Sequence, residues 1–538
     1  MKNAFTNALS TPVPQGEPVD PRQKANSAGG YTFTVTDQNR LERFLILGTE
    51  GGTYYVSEPK LTKDSFRFLD AVIASDEDMV RNTIREVSTN GRAYKNSPAI
   101  FALAKLLVQG KNKQATIAVG PDVVRTSTHL FEFASYIELL GGWGRAKREF
   151  IAHWYQTKDL STLAYQVVKY RQRDGWTHRD LWRLAHPRGL NTTLGNWVLG
   201  KVGTVVDDFV ELDLLRAFEV AQGLTTVPDL MSFMDQTYAR NLPWEAYPTS
   251  FHKSLEFWQK LFYNGQLRGQ ALVRNVTRLA RIKAFDDMVF ARDYADRLTD
   301  EQMITKTRLH PINYLNAAVI HENGQKDRKS SDIWSTRRNK DWTTSAIIMD
   351  ALNSGFYSAF KTLEPAGRRT LIGVDVSGSM AGSAANGLDL TAAQVSAAMS
   401  MFTARTEPFY SIMGFAHTFR DLGISASDNL NSAMKKVSNQ NFGSTDCSLP
   451  MVWAMQNRLA VDTFLVITDN ETWAGRVHPH IALRDYRQKM GIDAKLIVAG
   501  VSATEFTIAD PSDRGMLDLC GFDSNAPKVI ADFSTGRV

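Results

Sequence analysis

The sequence predicts a multidomain protein, an array of α-helices followed by an α/β domain built on a doubly wound parallel sheet. Three observations predict it. From Asp37 to about Phe360 apolar residues recur at three- and four-residue spacing, the period of a helix with one buried face. After Pro365 the pattern changes to continuous β-branched and aliphatic runs alternating with helical segments, as in a sheet covered on both faces. Two of those runs end on aspartates, Asp375 and Asp469, which places both at the carboxyl edge of such a sheet. The 538 residues, 43% of them apolar, suffice for more than one core. The organisation expected is a flexible Pro-rich lead over 1–22, a helical part over 23–364 and the α/β part over 365–538.

Taken in order, the segments 64–75, 77–89, 97–110 and 128–142 each carry Ser, Asp or Thr near the start, and the last two end at Gly. A further helix begins near Ser161, with Leu163, Val167 and Tyr170 as its buried stripe and Lys169 and Arg173 four apart on another face. Thr177 and Asp180 form a capping arrangement for the next helix, on which Arg179 and Arg183 are again four apart. Elements recurring every 15–25 residues suit stacked helix pairs in a solenoid, and periodicity alone leaves a compact bundle open. From His321 to Trp342 the chain is highly charged and aperiodic, the signature of a surface loop, before a last helix over 344–364. Beyond Pro365, strands are expected at 369–376, 409–416, 462–469 and 494–501, with helices at 390–405, 429–439 and 480–490.

The α/β part carries a candidate cation site. Asp375, Ser377 and Ser379 alternate in DVSGSM just past a strand, where Gly378 allows a tight turn. GSTDC adds the hydroxyl of Thr445, and the strand ending at Thr468 adds Asp469. Five oxygen donors without nitrogen or sulfur select a hard divalent cation, Mg²⁺ first, with Mn²⁺ and Ca²⁺ as the other candidates. At octahedral coordination they leave at least one position for water or an external acidic group. Other chemistries lack their residues: Ser377 stands where a haloacid-type phosphatase has its second Asp, 377–387 has no phosphate-loop lysine, and no GxSxG elbow occurs. No catalytic residue is assigned, and a non-enzymatic protein is expected.

The formal charge of +5 is carried upstream of that site, since from Pro365 on there are 15 Lys and Arg against 17 Asp and Glu. Within 143–187, Arg145, Lys147, Arg148, Lys169, Arg171, Arg173 and Arg179 are interleaved with tryptophans and tyrosines. Cations meet phosphates and aromatics can stack on unpaired bases, although aromatics on helices more often pack between them. The two cysteines show no metal-site spacing, and no segment reads as a signal peptide or a spanning helix. A cytoplasmic protein without membrane attachment is therefore expected.

Over almost its whole length the chain resembles the sixty-kilodalton Ro autoantigen family, whose TROVE domain precedes a von Willebrand A domain with a metal-ion-dependent adhesion site. The resemblance is carried by GGYTFTVTDQNRLERFLILGTEGGTYY (29–55), WGRAKREFIAHWY (143–155), KYRQRDGWTHRDLWRLAHP (169–187), GSTDCSLPMVWA (443–454), 467–501 and 507–523; about 190–300 and 380–390 match far less. It implies a HEAT-like ring closed by the A domain. It also implies that Y-like small noncoding RNA binds an outer basic surface, and that single-stranded 3′ ends of misfolded noncoding RNA enter a central hole. The family's RNA-binding basic and histidine positions fall on Lys169, Arg173 and His186. An exoribonuclease is a candidate partner, and a monomer acting in RNA quality control is expected. The rival reading is a metal-dependent protein-interaction scaffold.

Overall fold

Many helices in the first part carry their own start signal. Asp76 accepts a hydrogen bond from Met79 N at the head of Glu77–Thr89, Thr126 caps Ser127–Leu139, and Asp159 caps Leu160–Lys169. In the computed structural model the described residues are 10–49, 58–93, 95–201, 210–326, 338–360, 365–382, 391–438, 443–520 and 526–537. Helices pack on the next but one: Glu77–Thr89 on Lys113–Val123, that helix on Arg145–Gln156, and that one on His178–Ala185. Ser97–Gln109 and Ser127–Leu139 make the second layer. This two-layered stacking is the solenoid that the spacing suits, rather than the compact bundle that periodicity left open.

The array curves until its ends meet. Arg308 Nη1 donates to Thr89 O at 2.7 Å across 219 residues of sequence. Both ends also grip the α/β domain. At the first, the fully buried Arg43 pairs with Asp518 and donates to Thr504 O at 2.9 Å and Phe506 O at 2.7 Å. At the second, Phe360 packs on Phe402 at 4.3 Å and Lys435 pairs with Glu322 at 3.3 Å.

Short strands punctuate the helices: β1 (Lys24–Ala25) with β2 (Tyr31–Thr34), β3 (Gln172–Arg173) with β4 (Trp176–Thr177), and β5 (Gln325–Lys326) with β6 (Arg338–Asn339). The α/β domain supplies β7 (Thr370–Asp375), β8 (Tyr410–Phe415), β9 (Phe419–Asp421), β10 (Thr463–Thr468), β11 (Lys495–Gly500), β12 (Phe506–Thr507) and β13 (Met516–Cys520). Its main sheet runs β13-β11-β10-β7-β8-β9, parallel except for the antiparallel edge strand β9. The chain leaves β7 toward β8 on one side and later places β10 on the other, so the switch point falls between β7 and β10. Both strands are buried along their full length, which is why they read as unbroken apolar runs.

Three expectations need correction. The lead expected to be flexible over 1–22 is docked on the α/β domain from Ser10 on: Gln15 N donates to Gly475 O at 2.9 Å, Arg22 pairs with Asp510 at 2.9 Å, and β2 continues onto β12. Residues 1–9 lie outside the described residues. The helix bearing Lys169 ends there, with Tyr170 as its cap, so Arg173 does not share its face but sits on β3 of a two-strand hairpin. The ends of the 321–342 segment are not surface loop. His321 is buried in Pro311–Asn323, its carbonyl accepts from Trp342 Nε1 at 2.9 Å, and its Nε2 accepts from Ser345 N at 3.1 Å. Residues 327–337 lie outside the described residues.

Candidate cation centre and basic surface

β7 and β10 lie in register, Ile467 opposite Val374, so Thr468 and Asp375 end the pair at one level. Thr468 Oγ1 donates to Asp375 Oδ2 at 2.6 Å, while Asp375 Oδ1 accepts from Ser377 N at 2.9 Å. The turn after Asp375 then brings Ser377 Oγ within 2.9 Å of Ser379 Oγ. The Thr445 loop is pinned on both sides of this edge. Asp446 N donates to Ala416 O at 2.9 Å at the end of β8, and Thr445 O accepts from Trp473 N at 3.1 Å and Ala474 N at 3.0 Å beyond Asp469. Cys447 N donates to Thr472 Oγ1 at 3.0 Å, and its Sγ lies 3.6 Å from Thr468 Oγ1. All five expected side chains are buried.

Burial pushes Asp375 up to about 7, with the neighbouring Asp469 carboxylate adding to the effect. Asp469 is raised by burial, against the Ser379 hydroxyl and the Glu471 N–H. Glu471, unforeseen from the sequence, is pushed up to about 8 by burial and then by Asp469. Thr445 Oγ1 and Asp469 Oδ2 are buried with no hydrogen-bond partner among the described residues. Orphaned acceptors beside clustered carboxylates are what a cation would satisfy, so the residues fit a hard divalent ion. Among the described residues no three His, Cys, Asp or Glu side chains form a metal cluster; the expected donor set has only two carboxylates, its other members being hydroxyls.

The docked N-terminal segment covers this edge. Gln15 Nε2 donates to Asp446 Oδ1 at 2.9 Å and Val477 O at 2.8 Å, Asn26 Nδ2 to Thr472 O at 2.9 Å, and Ala28 N to Glu471 Oε2 at 3.1 Å. A Cβ on Gly30 would fall 1.9 Å from Thr472 O, so only glycine permits the approach.

On the helical side, Trp143 and Trp176 pack edge to face at 5.4 Å, joining the start of Arg145–Gln156 to the β3–β4 hairpin. Arg145 and Arg148 at the head of that helix are exposed, as are Arg171 and Arg173 at the hairpin. Three cations, Arg145, Lys147 and Arg148, occupy the first turn of a helix, the end where the backbone dipole is already positive. Lys147 reaches back to Gly142 O, Arg171 lies over the Phe218 ring at 4.8 Å, and Arg173 faces Asp174 at 3.4 Å with more than half its side chain exposed. Arg179 is exposed on His178–Ala185, and His186, exposed, caps that helix in the left-handed region at φ 47°.

Lys169 sits apart. Its Nζ lies 3.2 Å from Tyr165 Oη and over the Tyr165 and Tyr170 rings, facing Glu245. Burial alone would lower its ammonium, but both tyrosines and Glu245 hold it above its usual range. Trp154, Tyr155 and Trp182 are core, with Tyr155 Oη 2.7 Å from His178 Nδ1, and are closed to bases. Sequence reading missed Arg125 and Arg308, whose like charges face each other where the array closes; their donors go to Ser88 O at 2.9 Å and Thr89 O at 2.7 Å. No local pattern could pair residues so far apart.

Two family models match: the TROVE domain over residues 24–208 and 238–345, and the Ro60 vWA domain over 369–534. The chain belongs to the TROVE-domain Ro family. A Deinococcus radiodurans relative named RNA-binding protein RO60 is 39% identical over 544 residues, covering 100% of both chains. A Caenorhabditis elegans relative of the same name is 32% identical, covering 97% of this chain and 92% of its own. The crystal structure of the D. radiodurans Ro (Rsr) protein superposes with a TM-score of 0.67 at 38% identity, over 94% of this chain and 100% of that one. This TROVE chain thus has the helical array and A-type domain in the family order, with the candidate cation centre on the A-type domain. No helix among its described residues is long and apolar enough to cross a membrane.

Proposed function

We propose that this Ro-family chain binds RNA without acting on it as an enzyme, as a component of small ribonucleoproteins in RNA quality control. The observation that carries the reading is the set of arginines at the head of Arg145–Gln156 and on the adjoining hairpin. Arg145 and Arg148, placed against the positive end of a helix dipole, are arranged for an anion rather than for local stability. The full-length relationship to proteins named for RNA binding supports it. Y-like small noncoding RNA is the ligand of this outer surface, met by Arg145, Lys147, Arg148, Arg171, Arg173, Arg179 and His186. Lys169, matched to Glu245, acts mainly by fixing the surface. Single-stranded 3′ ends of misfolded noncoding RNA enter the hole of the ring. A Mg²⁺ ion is held by Ser377, Ser379 and Thr445 with Asp375 and Asp469, and supplies an open position for an acidic partner group. A monomer in the cytoplasm, working with an exoribonuclease, completes the reading.

The test is a filter-binding titration of a stem-loop RNA at increasing salt. Affinity falls steeply on a log–log plot, by about 0.9 per phosphate neutralised. A flat profile refutes phosphate-led binding. Repeating the titration with a chelator separates the rival scaffold reading: RNA affinity that survives supports an RNA surface independent of the ion.

A further inference from the structure

One side chain of the docked N-terminal segment ties together the two loops that carry Thr445 and Asp469. Gln15 is fully buried. Its Nε2 donates to Asp446 Oδ1 at 2.9 Å, next to Thr445, and its Oε1 accepts from the hydroxyl of Thr472, shortly beyond Asp469. Gly475 leaves the room for this, since a Cβ there would stand 2.2 Å from Gln15 Nε2 and 2.3 Å from Asp446 Oδ1. The segment also closes on itself at this point: Tyr31 N donates to Gln15 O at 2.8 Å, and Gly30 N to Asn26 Oδ1 at 2.9 Å. Asn26 and Ala28 then fasten the closed loop to Thr472 O and Glu471 Oε2.

Thr445 Oγ1 and Asp469 Oδ2, the acceptors without a partner among the described residues, belong to the same two loops. A cation would draw these two oxygens to one point, while Gln15 ties the residues beside them. Both act on one spacing, that between the Thr445 loop and the stretch after Asp469. Trp473 N and Ala474 N, donating to Thr445 O at 3.1 and 3.0 Å, join the loops directly, so a shift of one carries the other. Two binding events that favour the same arrangement strengthen each other by the same factor. We infer that docking of the Ser10–Thr34 strap and loading of the cation centre are linked: the ion fastens the strap, and the strap tightens the hold on the ion. Gln15 is the positioning residue between them. The inference rests on the cation reading above and adds what loading does to a distant stretch of the chain.

The test uses the full chain, stripped of metal with a chelator. Amide hydrogen exchange over residues 10–34 is expected to slow about tenfold when Mg²⁺ is added, within the usual range for coupled sites, while exchange in Arg145–Gln156 stays as it was. Gln15→Ala is expected to weaken Mn²⁺ binding by that same factor, read by electron paramagnetic resonance of the free ion. A Gln15 that only shaped the segment would leave Mn²⁺ affinity unmoved. Exchange over 10–34 that ignores Mg²⁺ in a chain that binds Mn²⁺ overturns the link and leaves the cation reading standing. Wild-type Mn²⁺ affinity in Gln15→Ala does the same. A wild-type chain that binds no Mn²⁺ overturns the cation reading and the link with it.

Discussion

At Thr445 a buried hydroxyl oxygen has no partner among the described residues, although the backbone on either side is hydrogen-bonded. Leaving such an atom unpaired costs about 1–3 kcal/mol, a cost that a bound cation would remove. Thr445→Ala is expected to weaken Mn²⁺ binding by at least about tenfold, roughly 1.4 kcal/mol, without lowering the Tm of the metal-free protein. Titration followed by Mn²⁺ electron paramagnetic resonance checks this, and unchanged affinity would exclude Thr445 as a ligand. On the basic surface, Arg173 is more exposed than Lys169 and pairs with its neighbour Asp174, whereas Lys169 is held by two tyrosines and Glu245. Arg173→Ala should cost about 1–3 kcal/mol of stem-loop RNA affinity, and Lys169→Ala less. A filter-binding titration in which Lys169→Ala does the greater damage would reverse that ranking.

At the scale of elements, what could be read from the sequence was whatever is encoded locally. Each expected α/β strand and helix appears, because a buried parallel strand leaves an unbroken apolar run and a capped helix carries its period and its cap. The Thr177–Asp180 capping box is present as expected. Asp375, Ser377, Ser379 and Asp469 stood out as candidates for the same reason, sitting within a few residues of strand ends. What escaped was set by distant partners. β1 and β2 are too short to show alternation and exist because β12 pairs with β2. The hairpin holding Arg173 is hidden because Lys169 and Arg173 keep helical spacing across a helix end. Glu471 gives no signal until burial and Asp469 are known. Gly30→Ala should unseat the N-terminal segment from Thr472, and limited proteolysis should then cut before Asp37. Cleavage as slow as in the wild type would show that the segment tolerates the side chain.

Across the whole molecule, several histidines are buried in neutral form. Burial holds His178 and His129 down to about 3 and His321 to about 4, against an ordinary value near 6.5. The unfolded chain takes up protons on these rings below about pH 6.5 while the folded one does not, so their linkage removes stability as pH falls toward 4. His178→Gln is expected to flatten the fall in Tm between pH 6.5 and 4, and an unaltered slope in differential scanning calorimetry would place the linkage elsewhere. The docked stretch from Ser10 to Thr34 has a consequence for biosynthesis. These residues leave the ribosome well before their seats on Thr472, Gly475 and Phe506, which are translated more than 400 residues later. The Ser10–Thr34 stretch must therefore wait until the α/β domain emerges, and a nascent chain arrested before Thr472 has none of these three seats to offer it.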